Sequence, residues 1–336
     1  MDQIGLVRLA RTLIDVDSTT GREAEVCDVM AAELGRLGYA VTAQPVGEPG
    51  RRNLLAVREP PVVVLTTHLD CVPPFVPSRE ADGVLSGRGA CDAKGIAAAQ
   101  IAAVERLHAA GESRVGLLFV VGEERGSDGA RASAALAAGS RFIVNGEPTD
   151  NRLAAATRGV LRVRLRAAGR AAHSSMPERG ESAIEKLLDA LVALRTLDLP
   201  SDPLLGRTHY TVGLVAGGVA PNVVPSSAEA DVNFRTAGDV AALRAALRAL
   251  EPLVTVEDII EVPSVTLMTV PGFETAVFPF TTDAAFLTPW GRPLLMGPGS
   301  VLVAHTDDEH VRVADLVAAV DLYERLARTL LAPRSA

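Results

Sequence analysis

The first half of the chain switches repeatedly between helical and strand periodicity. Leu6, Val7, Ala10, Leu13 and Ile14 recur at helical spacing, and Asp17-Ser18 closes that segment. A second helix is predicted over 22–37, preceded by Thr19-Thr20-Gly21 and stopped by Gly38. Residues 54–57 and 62–66 read as strands, the second nearly continuously apolar, as a strand buried on both faces must be. An Ala-rich helix over 93–110 ends at Gly111, 115–121 is another buried strand, 130–138 a helix and 142–145 a strand. Strands alternating with helices predict an α/β architecture, a mainly parallel sheet covered on both faces.

The pattern changes after residue 157. Residues 160–168 alternate in period two, with Arg162, Arg164 and Arg166 on one face, the mark of a half-exposed strand. A helix over 181–197, strands at 208–215 and 228–235, a helix at 240–250 and a strand at 254–262 follow. Strand-helix-strand-strand-helix-strand is the ferredoxin-like order. An α+β domain over 158–265 is therefore expected to be inserted into a domain made of 1–157 and 266–336, which ends in a long helix over 313–330.

Charge narrows the function. Lys plus Arg number 33 against 41 Asp plus Glu, a net charge of −8, which argues against binding to nucleic acid or an anionic membrane. The longest apolar runs are strand-sized, and Asp2, Arg8 and Arg11 interrupt the N-terminal stretch, so neither a membrane span nor a secretory leader is expected. Three cysteines, Cys27, Cys71 and Cys91, suggest no disulfide framework. A soluble cytoplasmic protein is the expectation.

The candidate chemistry lies just after the strands, where open parallel sheets collect ligands. His68 and Asp70 follow the strand at 62–66; alone they read equally as a core histidine beside a turn aspartate. Asp92, in Gly-Arg-Gly-Ala-Cys-Asp-Ala-Lys-Gly, enters the Ala-rich helix, as a helix cap or as a carboxylate bridging two cations. Glu123 and Glu124 follow the strand at 115–121, where adjacent acids call for a cation or a shared proton unless they are simply solvated. Glu147 follows the strand at 142–145, and His305 follows the Gly-Pro-Gly segment at 297–299. Two histidines and several carboxylates at successive strand ends suit two zinc ions, or cobalt or manganese, and activation of water for hydrolysis.

The blocks His-Leu-Asp, Gly-Arg-Gly-x-x-Asp-x-Lys-Gly, Glu-Glu, Gly-Glu-Pro-Thr, Gly-x-x-x-His-Ser and His-Thr-x-x-Glu follow one another along the chain from His68 to Glu309. The chain resembles the dinuclear-zinc hydrolases that include acetylornithine deacetylase, succinyl-diaminopimelate desuccinylase, aminoacylase and carboxypeptidase G. The resemblance implies a zinc-hydrolase catalytic domain with an inserted lid and dimerisation domain, working as a homodimer. It assigns His68, Asp92 and Glu147 to one metal and Asp92, Glu124 and His305 to the other, with Asp92 bridging. Asp70 would support His68, and Glu123 would be the general base for attack by metal-bound hydroxide. His173 matches a histidine that reaches the partner subunit's site to stabilise the oxyanion, while Asn222 and Arg235 match residues that hold the substrate carboxylate. Arg235 reads equally as a solvated residue ending a strand. Backbone N–H groups of 297–300 are further candidates for that carboxylate.

The implied substrate is a small N-acyl amino acid or short peptide. Acetylornithine, in arginine or lysine synthesis, comes first, desuccinylation second, and a dipeptidase or exopeptidase third. A non-catalytic binding homologue is disfavoured, because every ligand position is filled. His108 and His209 read as structural, His310 as a surface residue, Cys71 and Cys91 as packing residues, and Glu309 as a hydrogen-bond partner fixing His305.

Overall fold

The computed structural model describes residues 1–137 and 139–333. They form two compact units, one of Met1–Ala155, Leu267–Ala276 and the chain from Thr282 onward, the other of Ala156–Thr266 and Val277–Thr281.

The first unit is built on a six-stranded sheet. Val115–Val120, Val63–His68, Phe142–Asn145 and Arg292–Leu295 lie side by side in that order and run parallel. Every residue of the first three is buried, which is why their sequences are mainly apolar, with polar side chains (Thr66, Thr67, His68 and Asn145) gathered at the carboxyl ends. An antiparallel pair, Ala40–Pro45 and Arg52–Val57, extends the Val115 edge, so the sheet is mixed rather than wholly parallel. Ala40–Pro45 is largely exposed and lacks the apolar run that would announce a strand.

Alternate residues of the strands feed two cores. Val63, Leu65, Leu117 and Phe119 pack with the helices Gln3–Ile14, Ala24–Arg36, Lys94–Ala109 and Val313–Leu331, while Val64, Leu118, Val120 and Ile143 pack with Ala130, Leu287 and Trp290. Lys94–Ala109 is buried along most of its length, and its alanines allow the Val313–Leu331 and Gln3–Ile14 helices to approach it closely. The helix expected over 130–138 runs instead as Asp128–Ser133 and a 3-10 turn at Ala134–Leu136, and Ala138 lies outside the described residues. A short antiparallel sheet of Arg79–Ala81, Val84–Ser86 and His310–Arg312 is too brief to show a period.

The second unit has four antiparallel strands in the order His209–Gly217, Ser227–Thr236, Gly159–Ala168, Thr255–Val262. With the helices Ala183–Leu194 and Val240–Leu247, this is the ferredoxin-like arrangement. Leu161, Val163, Leu165 and Phe234 share a core with Leu187 and Leu243 from the helices. On the open face Arg164 forks onto Asp231 at 2.6 and 2.9 Å, and Arg166 faces Glu229 and Glu257. The second segment of this unit, Val277–Thr281, carries no pattern that sets it apart in the sequence. Among the described residues, no helix is long and apolar enough to cross a membrane.

Candidate metal centre

His68 is the last residue of its strand, and the chain turns at once so that the Asp70 carbonyl oxygen lies 2.9 Å from Nδ1. A carbonyl only accepts, so the ring carries a proton on Nδ1. Its Nε2 then faces Oδ1 of Asp92 at 3.0 Å. In the neutral ring both are acceptors, and they need a proton or a metal cation between them. Burial opposes charge on this imidazole, but the Asp70 carboxylate beside it and the Asp92 carboxylate bonded to it, with the charges of Asp92 and Glu147, push its pKa well above the usual histidine range.

Asp92 ends a glycine-rich loop at the start of the Lys94–Ala109 helix. Its other oxygen, Oδ2, lies 3.2 Å from Nε2 of His305, and the same Nε2 lies 3.0 Å from Oε1 of Glu124. Asp92 thus presents one oxygen to each histidine. These separations resemble the roughly 3.3 Å expected between neighbouring donors bound tetrahedrally at about 2.0–2.1 Å. His68, Asp92 and Glu124 each offer a ligand atom, all within 4.8 Å of one another. His305 has a left-handed φ of 64°, which is uncommon outside glycine. Such a conformation persists where surrounding contacts over-determine it.

The Glu-Glu pair sits in a 3-10 turn, Glu123–Arg125, entered through Gly122 at φ 76°. Only glycine takes this angle freely, and it lets the chain reverse directly off a buried strand. The turn is anchored from below by Asp70. Its Oδ1 accepts the Glu123 N–H at 3.1 Å, and its Oδ2 accepts the Glu124 N–H at 3.2 Å and the Thr20 hydroxyl at 2.9 Å. The Asp70 carboxylate stands 3.6 Å from Nδ1 of His68, so the short bond to that ring comes from the Asp70 main chain instead. Glu147 is buried, with Oε1 accepting from Asn145 Nδ2 at 3.4 Å. Burial, followed by neighbouring acids, pushes Glu123 well above the carboxylate range; for Glu147 burial does the same, with the charge of His68 opposing it.

One member of this cluster has no signal in the sequence. Asp283 lies in a short turn, Asp283–Ala285, fully buried, with Oδ1 lacking a hydrogen-bond partner. Burial raises its pKa to about 7, opposed by a bond from Ser127. Buried carboxylates facing two imidazoles form a donor set that a pair of divalent cations would neutralise, and on that chemistry the residues fit a dinuclear centre.

Three expectations change. Glu309 does not touch His305; it is buried against Arg88 and the loop that carries Asp92, because the chain turns into the His310–Arg312 strand directly after it. His310 is half-buried in that strand rather than a free surface residue. The Gly297 N–H is taken by Thr149 Oγ1 at 2.9 Å and is not available to a substrate. Cys71 and Cys91 are buried packing residues, and His108 is buried beside the Tyr39 ring with centroids 5.3 Å apart.

His173, Asn222 and Arg235 all belong to the second unit. His173 and Asn222 are exposed and come from adjoining loops: the Ser174 N–H donates to the Asn222 carbonyl at 3.0 Å, and His173 bridges Val223. His173 Nδ1 accepts the Ser175 N–H at 3.2 Å. Half-buried Arg235 donates to the Thr281 hydroxyl at 3.3 Å.

Residues 64–329 match the sequence profile described as peptidase family M20/M25/M40. A probable carboxypeptidase of Aspergillus clavatus is 38% identical over 97% of this chain and 82% of its own length. In fold, the chain is similar to the aminopeptidase PepT of Bacillus cereus, with a TM-score of 0.82 at 20% identity over 99% of this chain and 100% of that one. It is also similar to YXEP of Bacillus subtilis, described as a dinuclear metal-binding M20 peptidase, with a TM-score of 0.73 at 17% identity over 98% of each chain. The matched span runs from the strand that ends in His68 to the last helix, and it identifies the chain as a member of the M20/M25/M40 peptidase family and a metal-dependent hydrolase of amide bonds.

Proposed function

We propose that this chain is an exopeptidase or deacylase that hydrolyses an amide bond in a short substrate bearing a free carboxylate. The observation that carries this reading is the Asp92 carboxylate, with one oxygen 3.0 Å from His68 and the other 3.2 Å from His305. His68, Asp92 and Glu147 would hold one ion, and Asp92, Glu124 and His305 the other. Zinc, with cobalt or manganese as substitutes, suits these donors and, when bound, acidifies water and polarises the amide carbonyl.

Glu123 is the base in this reading. It takes a proton from the attacking water as the new C–O bond forms, then returns it to the nitrogen as the C–N bond breaks, releasing a carboxylic acid and an amine. Asp70 holds Glu123 in place through its main-chain N–H. His173, accepting the Ser175 N–H on Nδ1, keeps its proton on Nε2 and donates it as a hydrogen bond to the carbonyl oxygen as charge develops there.

Asn222 and Arg235 are assigned to the substrate carboxylate. Asn222 precedes the Ser227–Thr236 strand, and Arg235 stands near its far end. Eight residues of extended chain cover about 26 Å. One short substrate cannot meet both ends of the same unit, so His173 and Asn222 would serve the site of a second copy. The outer strand His209–Gly217 supports a homodimer. It is exposed nearly throughout, with Leu214 and Val215 68% and 60% accessible, an edge suited to pairing.

Peptide cleavage is placed ahead of acetylornithine deacetylation because the curated relatives are named probable carboxypeptidases. Metal content together with hydrolysis of a dipeptide, acetylornithine, succinyl-diaminopimelate and acetylmethionine tests the proposal. Two ions per chain and chelator-sensitive release of amine from one compound are expected. Failure to bind metal on reconstitution would sink the proposal.

A further inference from the structure

Glu309 is a further buried acid near Asp92, and its carboxylate is bonded to the loop that carries Asp92. Its Oε1 accepts the main-chain N–H groups of Gly89, Asp92 and Cys91 at 2.9, 3.2 and 3.3 Å. Its Oε2 accepts from Arg88 Nη1 at 2.5 Å, and its own carbonyl accepts the Gly87 N–H at 3.1 Å. The loop 87–92 is therefore wrapped around one carboxylate. Gly89, at φ 90°, makes the wrap possible, and a Cβ there would come within 2.9 Å of Cys71 Sγ and Lys94 Cδ.

The same pair reaches the other loop. Arg88 Nη1 also donates to the Thr306 carbonyl at 3.2 Å, one residue beyond His305. Arg88 and Glu309 are each only 3% exposed, so the pair is shielded from competing water. The loop of Asp92 and the loop of His305 are thus fastened to one buried ion pair, and the two side chains they carry meet at 3.2 Å. Charge-assisted bonds with little solvent access hold geometry tightly.

We infer that Glu309 is a positioning residue. Through Arg88 and the 87–92 main chain, it sets the distance between Asp92 and His305 and so the affinity for the ion those two share. This rests on the proposed assignment of Asp92 and His305 as ligands. Glu309 itself is not among the assigned ligands.

The test is cobalt(II) titration of the metal-free full chain, followed by calorimetry and the visible absorption of the bound ion, with no turnover measured. Glu309→Gln keeps the shape but loses the charge, and Arg88→Lys keeps the charge on a shorter side chain that loses the Nε bond to the Pro74 carbonyl and draws its nitrogen back from Glu309 and the Thr306 carbonyl. In each variant the equivalent assigned to both Asp92 and His305 is expected to bind about 10–100-fold more weakly, and the other, which shares Asp92 alone, to weaken by a clearly smaller factor. If both equivalents keep wild-type affinity, or both weaken by the same factor as a general loss of folding would cause, the inference is overturned. Should Glu309→Gln fail to fold, Arg88→Lys decides by the same criterion. If the wild type binds no cobalt, the assignment of the ligands fails and this inference with it. Two wild-type equivalents with unaltered variants would overturn this inference alone.

Discussion

The Asp70 carboxylate accepts the main-chain N–H of Glu123 at 3.1 Å, across 53 residues of sequence. It is a fully buried acceptor beneath the turn that presents the Glu-Glu pair. Replacing Asp70 by Ala leaves the Glu123 and Glu124 N–H groups and the Thr20 hydroxyl without their acceptor, at about 1–3 kcal/mol each where water cannot enter. We expect Asp70→Ala to lower stability in urea unfolding by a few kcal/mol. Asp70→Asn, which keeps one acceptor, should fall between it and the wild type. Equal stability of all three would mean that the turn does not depend on Asp70.

Glu123→Gln removes the base and leaves the other acids of the cluster unchanged. Metal content should stay at the wild-type level while turnover falls about 10²–10⁴-fold. Turnover within a few-fold of wild type would remove Glu123 from the proton-transfer role.

Mixing protomers tests whether sites are shared. His173→Ala and Glu123→Gln should each be nearly inactive alone. After subunit exchange, each hybrid dimer would contain one site with both residues intact, restoring about a quarter of wild-type activity in an equal mixture. Absence of recovery, with exchange demonstrated by differently tagged chains, would place His173 in its own protomer's site or in none.

A pH effect is expected far from the metal centre. Glu105 accepts from Tyr39 at 2.8 Å and Arg58 at 2.9 Å, with His108 Nδ1 at 3.4 Å. Burial opposes its charge, but the nearby His108 ring, the bond from Tyr39 and the Arg58 charge outweigh burial and hold its pKa below the glutamate range. A folded-state pKa below the unfolded value adds stability above the unfolded value of about 4.3, and that stability is lost as pH falls through the folded one. The stability gap between wild type and Glu105→Gln should therefore be full at pH 7 and shrink below about pH 4. A gap that stays constant over this range would contradict the linkage.

The proposed ligands His68, Asp92, Glu124 and Glu147 were legible because each stands within a few residues of a fully buried strand or at the mouth of an Ala-rich helix, whereas His305, ten residues past the Arg292–Leu295 strand, was legible only from its motif. Those segments have the strongest periodicity in the chain, and strand ends are where ligands collect. His68, Asp92, Glu124 and His305 could be named from their blocks before any distance was known. Asp283 could not. It sits in a three-residue turn with no period, and only the fold brings it beside Glu123. Glu309 was misjudged for a related reason: in sequence it is four residues from His305, but its partners lie more than 200 residues away. The Ala40–Pro45 strand was missed because its exposed residues carry no alternating pattern.

The five residues Val277–Thr281 belong to the second unit although the chain has already returned to the first. Phe278 accepts the Arg158 N–H through its carbonyl, and the Thr281 hydroxyl donates to the Arg158 carbonyl and accepts from Arg235. The insertion is thus sewn in with a return stitch. Exchanging residues 158–265 for the equivalent stretch of a relative would leave that stitch behind, still carrying the partner of Arg235. A transferable unit must take both segments together, so recombination at a single pair of junctions cannot move this domain intact between family members.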